Sequence, residues 1–78
     1  MPLLTSFKFS RLKRRLKNRE IFWNAQHGKE SHGSFEGKDQ DGNQQSYTIP
    51  AKQQRDVGRV YLRGLCTRFG LDPDELFS

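Results

Sequence analysis

Between Phe9 and Lys17 the apolar residues fall at Phe9, Leu12 and Leu16, and every other position is Ser, Arg or Lys. That spacing is helical: it lays one narrow apolar stripe along a helix and leaves the remaining circumference polar. Neither glycine nor proline occurs between Thr5 and Arg19. The pattern predicts a first helix that Ser6 or Ser10 can cap and that runs to about Asn18. The period then changes. Glu20–Gln26 carries Ile21, Phe22 and Trp23 near its start and reads as a first strand. His27–Glu30 supplies a glycine turn, Ser31–Glu36 alternates weakly as a second strand interrupted by Gly33, and Gly37–Asn43 is a turn centred on Asp41-Gly42. Gln44–Ile49 reads as a third strand, closed by Pro50.

Ala51–Arg55 is a polar connector. Asp56 can cap a second helix over Val57–Phe69, with Val57, Val60, Tyr61 and Leu65 on one face and Leu62 and Phe69 widening it. Arg59, Arg63 and Thr67 line the opposite side, and Gly70 ends the helix. Asp72, Pro73 and Glu75 then stand where an N-cap, a first helical residue and a capping box would, starting a last helical turn that returns Leu76 and Phe77 to the core. The order α-β-β-β-α predicts an α+β fold in two layers, a three-stranded antiparallel sheet with both helices on one face plus that short C-terminal turn. Seventy-eight residues with no repeat and no interdomain linker make a single domain, residues 1–78.

Composition narrows the function. Only 32% of residues are apolar, but six Phe, two Tyr and one Trp keep the chain globular. No apolar run approaches the roughly 20 residues of a membrane span, the first residues lack a secretory core, and the single Cys66 suits a reducing compartment. The expectation is a cytoplasmic protein that makes no use of a membrane. Net charge is +5, divided unevenly: residues 1–19 carry +7 with no acid, and the remainder carries −2. Such a block meets phosphate well, because each neutralised phosphate releases counterions; its plainer reading is a solvated helix face. Lys8, Arg11, Lys13, Arg14, Arg15 and Lys17, with Lys29 and Lys52 further along, are the candidate RNA-binding cations.

The candidate chemistry is sparse. No glycine-rich phosphate loop, paired carboxylates or nucleophile elbow is present. Gly37–Asn43 has two aspartates but not the length or distal glutamate of a calcium loop. No second histidine stands at ligand spacing, so neither a metal nor another cofactor is expected. Cys66, among apolar helix residues, reads as a small hydrophobe. Phe22 and Trp23 can stack bases, although so small a core needs at least one of them. His32 remains, on a predicted strand; His27, in a turn next to Gly28, reads as incidental. A strand histidine has a structural reading as well as a catalytic one, and its near-neutral pKa suits proton transfer.

The run "YLRGLCTRFGLDPDELF" resembles the end of HicA-type toxins, in which a Thr-Leu-Arg-x-Ile-Leu-x-x-x-Gly-Leu pattern precedes a short acidic helix ending in Phe. Leu62, Arg63, Leu65, Gly70, Leu71, Glu75 and Phe77 match it. "YTIP" resembles the family's third strand, and "ESHGSF" falls at its Gly-Ser/Thr-His signature, with Ser31 and His32 in step. Glu30 replaces the usual glycine, Gly33 a frequent second histidine, Lys52 a common histidine after the proline, and Val60-Tyr61 a Gly-Thr pair. The resemblance implies a fold similar to double-stranded-RNA-binding domains and the activity of a metal-independent endoribonuclease toxin acting on mRNA. His32 would be its general acid/base, and a HicB-like antitoxin its protein partner. For Arg63, solvation and contact with RNA or antitoxin both stay open. The alternative is a non-catalytic basic RNA-binding module of the same fold.

Overall fold

The computed structural model describes residues 6–25 and 32–77. The expected core architecture is present: α1 (Phe9–Lys17), then β2 (Phe22–Ala25), β3 (Gly33–Lys38) and β4 (Gln44–Ile49), then α2 (Arg59–Phe69) and the short α3 (Pro73–Leu76). The three strands form an antiparallel sheet in the order β2-β3-β4. Cross-strand register aligns Trp23, Phe35 and Tyr47 in one row and Phe22, Glu36 and Ser46 in the adjacent row. Because strand side chains alternate, these rows lie on opposite faces. The Trp23 row faces both helices. Phe9 of α1 sits edge-on to the Trp23 ring at 4.8 Å, and the Tyr47 side chain fills the space beside Gly64 of α2.

Two short strands were not foreseen. β1 (Ser6–Lys8) pairs antiparallel with β5 (Asp56–Gly58), setting Phe7 opposite Val57, and both side chains are buried. Ser6 therefore does not cap α1, Ser10 lies inside the helix, and α1 starts without a side-chain cap. Asp56 does not cap α2 either; the N-cap position is Gly58, whose N–H donates to Gln53 Oε1 at 2.8 Å. Val57 reaches the core from a strand, whereas Val60, expected inside, is exposed. Leu62, Leu65, Cys66 and Phe69 form the buried face of α2. The connector holds one turn of 3-10 helix, Ala51–Gln53.

Both long helices stop by the same device. At Gly70 (φ +67°) the chain turns left-handed, and Leu71 N–H bonds back to the Cys66 carbonyl at 2.9 Å. At the end of α1 the left-handed residue is Glu20 (φ +60°), with Ile21 N–H on the Leu16 carbonyl and Glu20 N–H on the Lys17 carbonyl, both at 3.0 Å. This is the Schellman arrangement, and the accompanying apolar contact is supplied by buried Leu16 and Ile21. Asp72 caps α3 as expected, its carboxylate accepting the Asp74 N–H at 3.0 Å with Pro73 first in the helix. The helices run in the same direction. Phe9 N–H donates to the Arg55 carbonyl at the start of α1, and Gly70 at the end of α2 lies against Gln40 of the β3–β4 turn. Both helix starts therefore share the end of the sheet where β3 begins.

Candidate nucleic-acid interface

The apolar stripe of Phe9, Leu12 and Leu16 is buried, which divides the cations of α1 between two flanks. On the flank toward β2, Lys13, Arg14 and Lys17 line a cleft of about 430 Å³ together with Phe22 and Trp23. Lys13 Nζ stands 5.0 Å from the centre of the Phe9 ring, which steadies its long side chain by cation–π attraction. Trp23 is half-buried and packs edge-on against Phe9 and Phe35, whereas Phe22 is 51% exposed. The two aromatics thus differ in the roles the sequence left open: Trp23 packs against the core while lining the cleft, and Phe22 is mainly exposed.

On the other flank Arg11 lies over the Phe7 ring at 5.1 Å. Arg15, half-buried, is 6.0 Å from that ring and donates from Nη1 to the Leu76 carbonyl at 3.0 Å. Arg15 therefore ties α1 to the end of α3, and its charge is spent largely on holding the fold. Lysine and arginine in the last turn of α1 also complement the carbonyl end of its dipole.

His32 directly precedes β3 and is half-buried. Strand alternation carried back one residue puts it in step with Ser34 and Glu36, on the face away from the helices. Lys8, before α1, and Lys52, in the 3-10 helix, are exposed at the same end of the sheet as His32. Arg55 and Arg59, absent from the candidate cations named from the sequence, are exposed there too. Their signal was position alone, two cations flanking the start of α2. Lys29, Ser31, Glu30 and His27 lie outside the described residues. The structure therefore gathers Lys13, Arg14 and Lys17 into one cleft and groups His32 with Lys8 and Lys52 at one end of the sheet. His32 does not line the cleft.

Two carboxylates are held ionised by their partners. Glu36 is lowered mainly by the Ser34 hydroxyl, which donates to it at 2.8 Å, and then by the Asn24 amide at 3.1 Å. Asp39 is lowered first by the Gln45 amide and then by backbone N–H donors at Asn43 and Asp41, each at 2.9 Å. Those donors make Asp39 the organiser of the hairpin turn, as expected of a turn. Burial pushes the Cys66 thiol up to about 11, so it serves as core and is a poor nucleophile near neutral pH. Among the described residues no group of three or more His, Cys, Asp or Glu is placed to hold a metal ion, and no helix is long and apolar enough to cross a membrane. Comparison with protein-family models, curated proteins and solved structures finds no match.

Proposed function

We propose that this protein is a HicA-like endoribonuclease toxin that binds RNA along the basic flank of α1 and cleaves it with His32. The observation that carries the proposal is the cleft of Lys13, Arg14 and Lys17 closed by Phe22 and Trp23, in which the basic block of the sequence meets aromatic surface. Phosphates on the lysines and arginine would anchor the strand electrostatically. Phe22 pairs with Glu36 across the sheet, four residues along β3 from His32, so about 13 Å separates their levels. A short single strand passing over the β2 edge spans that distance.

At the scissile linkage RNA supplies its own nucleophile. His32, acting as general base, takes the proton of the ribose 2′-hydroxyl as that oxygen attacks phosphorus. The bond to the 5′-oxygen then breaks, leaving a 2′,3′-cyclic phosphate, and the departing oxygen takes a proton from solvent or from the imidazolium. Lys8, Lys52, Arg55 and Arg59 carry the positive charge at that end of the sheet that would steady the dianionic phosphorane. A HicB-like antitoxin covering this end would silence the protein.

A second reading, a non-catalytic RNA-binding module, draws on Gly33. This is the position where the resembling family often has another histidine. Here a Cβ would run into the Trp23 indole and lie 2.9 Å from the Asn24 carbonyl oxygen, so the packing has no room for a side chain. The two readings separate in metal-free buffer with labelled RNA. The toxin reading expects cleavage that His32→Ala reduces at least about 100-fold while RNA affinity is retained. Cleavage unaffected by His32→Ala, or binding without turnover at any pH, removes it.

A further inference from the structure

Phe22 is the one aromatic ring among the described residues that is exposed; every other Phe, Tyr and Trp side chain described is buried or half-buried. An exposed ring on a strand is unremarkable alone. Here its setting is specific. Phe22 lies on the edge strand β2, and the cleft it borders is otherwise lined by three cations and the half-buried Trp23. On its other side Phe22 also borders a larger cleft of about 630 Å³, in which the carboxylates Glu20, Glu36 and Asp39 accompany Arg19 and Lys38. Phosphate is disfavoured among those acids and favoured beside Lys13, Arg14 and Lys17. The charge distribution therefore assigns the backbone of a bound strand to the α1 side and leaves the ring as a platform next to it.

We infer that Phe22, with Lys13, Arg14 and Lys17, forms a subsite for one unpaired nucleotide, its base stacked on the Phe22 ring and its phosphate held by the cations of α1. The size suits this: about 430 Å³ falls within the range of small-ligand sites, and a duplex, whose bases stay stacked on each other, has no free base to lay on the ring. The ring offers no hydrogen bonds, so the subsite tolerates any base. It selects unpaired over paired RNA without reading sequence. A run of carboxylates alone would satisfy the three cations and leave the ring unused, whereas RNA uses both.

This inference rests on the RNA-binding part of the proposed function and is tested apart from cleavage. The probe is a single-stranded 2′-O-methyl oligoribonucleotide of roughly a dozen nucleotides, which cannot be cut because its 2′-oxygens carry no proton. Trp23 is the chain's only tryptophan and lines the cleft, so quenching of its emission reports occupancy of this site. The expected result is quenching on binding, with affinity falling about 5- to 150-fold in Phe22→Ala and restored in Phe22→Tyr. Circular dichroism of each variant confirms its fold. A duplex of the same length should bind more weakly and be indifferent to Phe22→Ala. Equal loss of single-strand and duplex affinity, no loss with Phe22→Ala, or competition by polyglutamate as effective as by the oligonucleotide overturns the subsite while leaving RNA binding in place. No binding of either nucleic acid at low salt overturns both the subsite and the proposed function.

Discussion

Glu20 shows how a single backbone angle is decided by its surroundings. A side chain at φ +60° costs about 1–2 kcal/mol, because its Cβ crowds the following carbonyl oxygen. The residue stays there because three backbone hydrogen bonds and the buried Leu16–Ile21 pair close the end of α1 around it. Replacing it with glycine removes the crowding and adds some chain entropy to the unfolded state. Glu20→Gly is therefore expected to raise stability by about 0.5–1 kcal/mol, read from the urea midpoint at unchanged slope. A lower midpoint would show that Glu20 is held by side-chain contacts and not by the turn. The same turn at Gly70 was legible in the sequence because glycine marks it. At Glu20 nothing local marks it.

The β3–β4 hairpin is the element whose stability depends most plainly on a titrating group. Asp39 is lowered from 3.8 by donors that exist only when the turn is formed. A depressed carboxylate stabilises the folded state above its unfolded pKa, and that contribution fades as pH falls through the folded value. Native protein should thus exceed Asp39→Ala in urea midpoint at pH 7, and the difference should shrink as pH is lowered from about 5 to 2. A gap that persists undiminished at low pH would mean that the side chain acts through packing. The hairpin itself was readable from Asp41-Gly42, and Gly42 does adopt φ +82°. The role of Asp39 could not be read, because it needs the amide of Gln45 brought back across the turn.

Across the whole molecule, the small ribbon of β1 and β5 closes the core. Phe7 is 5% exposed, pairs with Val57, packs its ring 5.0 Å from Phe77 and lies under the Arg11 guanidinium. It joins the two ends of the described chain through one side chain. Phe7→Ala should cost about 3–5 kcal/mol. A chain of this size is stable by only about 4–12 kcal/mol, so much of its folding free energy is at stake. Thermal unfolding followed by circular dichroism checks this, with Phe22→Ala as the exposed control that should change little. Equal effects of the two substitutions would contradict the packing described for β1.

The local patterns by themselves determined two helices, three consecutive strands, the Asp41-Gly42 turn and the Gly70 and Asp72 caps, because each depends on residues within one or two turns of each other. Only the tertiary structure decided that Ser6-Phe7-Lys8 and Asp56-Val57-Gly58 pair as strands. Three residues are too few to show a period, and their partners lie most of the chain apart. The same holds for the interface. Seven cations in the first nineteen residues announced a charged surface. Which of them face a cleft, which one bonds to the Leu76 carbonyl, and that Phe22 is the more exposed of the two aromatics and Trp23 the more buried followed from how α1 settles on the sheet. Burial of the Phe9, Leu12 and Leu16 stripe sets that rotation, and every other side chain on the helix takes its place from it.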